Sequence, residues 1–152
     1  MTVREATPSD LPAVRALQTL LPEPVEELFA DGLPPGITFV ALPHSVAVAT
    51  TATVGLDADG TPVGYVHAYD TGYVSELAVA PDHRGRGHGR ALLARELAAL
   101  RARDVDTAEL EVAADNDRAR SLYESLGFDV VERHPDRYDA GDGLRMAVDL
   151  AE

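Results

Sequence analysis

The sequence predicts a single α+β domain: a mixed sheet flanked by helices, in the order β-α-α-β-β-β-α-β-α-β-β. Three observations carry this. Segments of strand composition alternate with amphipathic stretches of helical spacing. A glycine-rich loop at residues 83–90, HRGRGHGR, joins one such strand to one such helix. The chain of 152 residues is 45% hydrophobic, enough for one core, and no repeat, low-complexity tract or linker divides residues 1–152.

The elements follow in order. Residues 2–7, TVREAT, read as a short strand; Thr7-Pro8-Ser9-Asp10 then forms a capping box with proline at the first helical position. Leu11, Val14, Leu17 and Leu21 keep near-helical spacing as far as Pro22, and a second short helix is expected from Pro24 to Ala30 before the Asp31-Gly32 stop. After the GLPPG loop, strand composition appears in Ser45–Leu56, Val63–Tyr69 and Tyr73–Val79. Turn signals at residues 57–60 and 70–72 separate them into an antiparallel meander. Leu93, Leu97 and Leu100 line a helix running to about Arg103, and Ala108–Ala113 is a strand. Asn116–Leu126 is an amphipathic helix stopped by Gly127. Phe128–Arg133 and Leu144–Leu150 are final strands around a polar loop, His134–Gly143.

Charge narrows the functional classes. Acidic residues number 26 against 13 basic ones, for a net of -13, and every basic residue is arginine. Such a surface repels nucleic acid and anionic membranes, both of which are bound chiefly through their phosphates. An excess of Asp and Glu also keeps proteins solvated in concentrated salt, so a halophilic source is one expectation and a plain compositional bias the other. The absence of cysteine excludes disulfides, thiolate metal sites and a cysteine nucleophile. No metal is expected. The first ten residues carry no basic-then-apolar leader and no run reaches the roughly 18 apolar residues of a membrane span, so a cytoplasmic location is expected.

The glycine loop points to an anion. Gly85, Gly87 and Gly89 let the backbone approach a ligand, and the helix that starts there aims its N–H groups and positive dipole end at it. A Walker loop is excluded because it requires lysine, and the dinucleotide fingerprint because the spacing is G-x-G-x-G and the loop follows a meander.

Residues 76–93, ELAVAPDHRGRGHGRALL, resemble the strand, linker and Arg/Gln-x-x-Gly-x-Gly/Ala loop of the GNAT N-acetyltransferase superfamily, with Arg84, Gly87 and Gly89 at the defining positions. Residues 110–128, LEVAADNDRARSLYESLGF, are similar to the family's second block, especially as found in enzymes that acetylate the N-terminal alanine of ribosomal proteins. The resemblance implies a central, mostly antiparallel sheet flanked by helices, with acetyl-CoA as co-substrate. It further implies that Arg84, Gly85, Arg86, Gly87, His88, Gly89 and Arg90 cradle the pyrophosphate, and that Leu77, Ala78 and Val79 run beside the pantetheine arm as an added strand would. A backbone N–H near Val79 would hydrogen-bond the thioester carbonyl. His88 is expected to face solvent or the nucleotide, with no catalytic role. Asn116 would bind the cofactor, or else cap the following helix.

An amine attacking a thioester must be neutral, so a general base is expected. Two carboxylates compete for that role by resemblance: Glu111, which lies on the strand face opposite Leu110 and Val112, and Glu76, on the strand ahead of the loop. Tyr123 is implied as proton donor to the departing thiolate and as part of the cofactor site. It also falls on a core-type stripe with Ala119, Leu122 and Leu126. The acceptor pocket is expected from residues 28–36 and 134–143, with an acidic rim suited to a cationic amine. A protein or peptide N-terminus is the first expectation for the acceptor; a polyamine, aminoglycoside or amino acid is the alternative, as is a non-catalytic acyl-CoA-binding module. No nucleic-acid or membrane partner is expected, and a homodimer is left open.

Overall fold

The computed structural model describes residues 2–151 except 22, 23, 26, 43–60, 139 and 140, together with all but the side chains of 136–138. Strand β1 (Thr2–Glu5) leads through a 3-10 turn (Pro8–Asp10) into α1 (Leu11–Gln18). Strands β2 (Ile37–Leu42), β3 (Gly64–Ala68) and β4 (Val74–Val79) follow, then α2 (His88–Ala102), β5 (Thr107–Ala113), α3 (Asp117–Ser125), β6 (Asp129–Tyr138) and β7 (Gly141–Asp149). The entry into α1 is fastened as its sequence predicts. The Asp10 carboxylate accepts from the Thr7 N–H at 2.8 Å and from both terminal nitrogens of Arg4 at 2.8 and 2.9 Å, and the Arg4 guanidinium holds its pKa below the usual carboxylate range.

The strands form two antiparallel sheets, ordered β1-β2-β3-β4 and β5-β7-β6. Among the described residues one backbone bridge links them. Tyr73 and Glu109 make an isolated parallel bridge, and the Glu109 N–H donates to Gly72 O at 2.9 Å. Gly72 is dictated by that contact: its φ is +101°, and a Cβ there would lie 2.2 Å from Thr107 O. Beyond this junction β4 pairs, among the described residues, only with β3, which leaves its other edge open toward β5.

One core cluster spans both sheets. Leu92, Leu93, Leu97 and Leu100 of α2 pack on Ile37, Phe39 and Val66 of the first sheet, and the same cluster continues through Leu110, Val112, Leu144, Met146 and Phe128. The opposite face of the first sheet buries Val40, Tyr65 and Ala78 against Val14, Leu17 and Phe29. Strands β2 and β3 are therefore covered on both faces.

Three expectations are revised. Strand β2 was not anticipated, because ITFVAL is a nearly continuous apolar run, buried on both sides, and carries no period-2 signal. The described part of 24–30 makes turns, with Leu28 N–H donating to Val25 O and Ala30 N–H to Glu27 O, in place of the second helix. The segment 134–143 is mostly strand, since β6 runs to Tyr138 and β7 starts at Gly141. The strand expected at Ser45–Leu56 lies outside the described residues. Among the described residues no helix is long and apolar enough to cross a membrane.

Candidate active site

A cavity of about 410 Å³ lies at the end of β4. Its walls are the end of β4, the loop leading into α2 with the first turn of that helix, one side of α3 with its N-cap, and Leu20 and Leu21 after α1. The predicted residues Leu77, Ala78, Val79, Arg84, Gly85, Gly87, His88, Gly89, Arg90, Asn116 and Tyr123 all line it; Arg86 and the two predicted carboxylates, Glu76 and Glu111, do not.

The loop is shaped by its glycines. Gly85 (φ +76°) and Gly87 (φ +89°, the N-cap of α2) adopt left-handed backbone, which turns the chain sharply onto the helix start. Gly89 differs. Its φ is ordinary, and a Cβ would meet only Leu122 Cδ2 at 3.4 Å and Val79 Cγ2 at 3.8 Å, so the fold itself would admit alanine. Arg84 Nε donates to Val79 O at 3.0 Å, pinning the loop to the end of β4, and Arg90 donates to Ser125 Oγ, pinning α2 to α3. Arg118 and His83 add two further basic side chains to the wall. The first turn of α3 was legible as a helix start, but which of its side chains face the cavity depends on how α3 packs.

His88 does not face solvent, one of the two expectations for it: it is only 3% exposed, its Nδ1 has no hydrogen-bond partner among the described residues, and its ring stands 5.9 Å from that of His83. The reason is helical phase. His88 shares a stripe with Leu92, Glu96 and Leu100, at successive i,i+4 positions that face the sheet. Burial, reinforced by His83, pushes the His88 pKa down. Asn116 caps α3, its Oδ1 accepting from the Ala119 N–H at 3.2 Å, and also reaches the cavity. Tyr123 is half-buried against the core, its ring 6.0 Å from Phe128, and reaches the cavity too.

The two carboxylate candidates occupy different strands and different environments. Glu76, 4% exposed, faces α1 and accepts four contacts from three donors: Gln18 Nε2 at 3.0 and 3.2 Å, the Val25 N–H at 2.6 Å and Tyr65 OH at 2.8 Å. Gln18 Nε2 also donates to Val25 O at 2.9 Å, so this carboxylate ties the end of α1 and the segment after it to β4. Burial, with Glu76 alongside, pushes the Tyr65 phenol pKa upward and keeps it a donor. Glu111 stands on β5, its side chain 14% exposed, on the face away from the α2 cluster, opposite Arg145 in register. Its Oε1 lies 3.5 Å from His134 Nε2.

These features fit a large anionic ligand with an extended arm. The cavity combines an open strand edge, helix N–H groups, basic side chains in an acidic chain, and a glycine that packing alone does not require. Among the described residues no group of three or more His, Asp or Glu is placed to hold a metal.

Comparison with known proteins bears on the same region. The chain is 53% identical to the mycothiol acetyltransferase of Beutenbergia cavernae over 64 residues, covering 42% of this chain and 22% of that protein. It is 40% identical to the [ribosomal protein bS18]-alanine N-acetyltransferase of Escherichia coli K12 over 82 residues, covering 54% of this chain and 55% of that one. The match therefore spans about half or less of these relatives' lengths. The crystal structure of the E. coli ribosomal-protein-S18-alanine N-acetyltransferase superposes with a TM-score of 0.79 at 25% identity, covering 99% of this chain and 94% of that chain. Residues 16–128 match the family model described as Acetyltransferase (GNAT) family, and the chain belongs to that family.

Proposed function

We propose that this protein transfers an acetyl group from acetyl-CoA to a primary amine, with a protein or peptide N-terminus as the favoured acceptor. The observation that carries the reading is the cavity itself, which joins an open β4 edge, a helix N-terminus with basic side chains, and the Tyr123 phenol. Acetyl-CoA supplies the activated acetyl thioester. The N–H groups of the 85–90 loop, with Arg84, Arg90 and Arg118, would hold its phosphates, and the main chain of Leu77–Val79 would take its pantetheine arm as an extra strand.

In this reading Glu111 accepts the proton released by the amine, Tyr123 protonates the departing sulfur, and a backbone N–H near Val79 stabilises charge on the carbonyl oxygen. Glu76 has a different part. Its oxygens are taken up by Gln18, Tyr65 and Val25, so it acts as a strut between the cavity wall on β4 and the segment carrying Leu20 and Leu21. The acidic sheet face bearing Glu109, Glu111 and Glu132 favours a cationic amine. The peptide acceptor is supported by the likeness to a ribosomal-protein alanine acetyltransferase. A small-molecule amine is the second reading, favoured by the 53% identity to a mycothiol acetyltransferase.

Thiol release from acetyl-CoA tests both, free of background because the chain has no cysteine. Turnover on peptides with N-terminal alanine, lost in Glu111→Gln and Tyr123→Phe, is expected. Turnover on polyamines, aminoglycosides or amino acids alone moves the acceptor class, and failure to bind CoA overturns the reading.

A further inference from the structure

The proposed chemistry leaves a proton on Glu111, a side chain 14% exposed, and that proton must leave before the next turnover. The nearest route is visible in the sheet. Strand β7 lies between β5 and β6, and its register places Ala113, Gly143 and His134 in one row and Glu111, Arg145 and Glu132 in the next. Gly143 carries no side chain into the gap, so the His134 imidazole can lean diagonally across β7. Its Nε2 reaches within 3.5 Å of Glu111 Oε1 and 3.7 Å of Glu132 Oε1, while the side chain stays 35% exposed.

We infer that His134 is the proton exit of this site, a positioning residue that takes the proton from Glu111 and delivers it to solvent; the inference rests on Glu111 being the base. The acceptor ammonium loses a proton to a Glu111 oxygen. That O–H bond then breaks as an N–H bond forms at His134 Nε2, and the proton on Nδ1 passes to water. Glu111 returns as carboxylate, and exchange with water resets the tautomer. The 3.5 Å separation is closed by a small ring rotation or one bridging water.

The surrounding charges suit the transfer. The imidazole is faced by Glu111 from β5 and Glu132 from its own strand. Arg145 of β7 is held by Glu109 at 2.8 Å and Glu132 at 3.2 Å, and Arg133 by Asp142 at 2.7 Å. Neither arginine is left without an acidic partner beside the relay.

The test compares the full-length protein with His134→Ala, His134→Gln and Glu111→Gln, following thiol release with an alanine-terminated peptide while imidazole buffer is varied at fixed pH and ionic strength. The wild type should be indifferent to imidazole. Both His134 variants should lose kcat by on the order of tenfold, less than the ~10²-fold or more expected for loss of the base, with unchanged KM for acetyl-CoA. Added imidazole should restore them and leave Glu111→Gln inactive. His134→Gln keeps an N–H donor of similar size, so it separates the relay from a merely structural contact and remains informative if His134→Ala fails to fold. A His134→Gln enzyme with wild-type kcat, or a loss that imidazole does not repair, overturns the relay alone. A Glu111→Gln enzyme that still turns over removes the base and the relay together, and a wild type inactive on peptides and small amines removes the acetyltransferase reading beneath both.

Discussion

Replacing Glu96 by glutamine should stabilise the protein by an amount that grows with pH. Glu96 lies in the middle of α2, 0% exposed, on the stripe that faces the sheet, and neither carboxyl oxygen has a hydrogen-bond partner among the described residues. Burial, opposed by Arg103 and assisted by Glu5, raises its pKa from the ordinary 4.5 to about 9. The folded protein therefore keeps this proton over a range where the unfolded chain gives it up. Each pH unit between those two values removes about 1.4 kcal/mol of stability; nothing is lost below the lower value and the loss is complete above the upper one. By neutral pH the loss is about 3 kcal/mol, a large part of a typical domain's margin. Glutamine leaves an unpartnered amide in the same place, so the slope rather than the offset is diagnostic. Urea unfolding of both proteins at about pH 5 and about pH 8 should show the advantage of glutamine widening by about 4 kcal/mol. Parallel stability curves would show that the folded carboxylate ionises normally and refute the reasoning.

Gly72→Ala should cost about 3 kcal/mol or more in thermal unfolding, because its Cβ would meet Thr107 O at 2.2 Å on left-handed backbone where the two sheets join. Gly89→Ala should leave stability within about 0.5 kcal/mol yet raise the KM for acetyl-CoA about tenfold, its methyl standing in the cavity; an unchanged KM would mean that no ligand approaches there. Glu76→Ala should cost roughly 3–5 kcal/mol in chemical denaturation by stranding Tyr65 OH, Gln18 Nε2 and the Val25 N–H, and Glu76→Gln should recover little, since its NH2 faces a donor. If the acidic composition is an adaptation to concentrated salt, the melting temperature should keep rising in KCl beyond about 1 M, where screening of the -13 net charge is already complete; a plateau below that is screening alone.

Much of the loop and helix start that wall the cavity was legible in the sequence because their demands are local. A glycine needed for left-handed backbone, a helix start that leaves N–H groups unsatisfied, and an asparagine that caps a helix are each set within a few positions of chain. The strand alternation that puts Glu111 opposite Leu110 and Val112 is equally local, and the register bears it out.

What the tertiary structure decided is everything that depends on distant partners. Glu76 reads in the sequence as a carboxylate on a strand near the site; only folding brings up Gln18 and Val25, 58 and 51 residues away, to occupy it. His88 and Glu96 are polar residues on a leucine-rich helix, and whether they meet water depends on which face of α2 the sheet covers. His134 looked like loop until β6 extended past it and β7 interposed a glycine between it and Glu111. Periodicity in a chain reports the shape of each element, whereas the charge state and hydrogen-bond partners of a side chain are set by whatever packs against it, and that is decided across the fold.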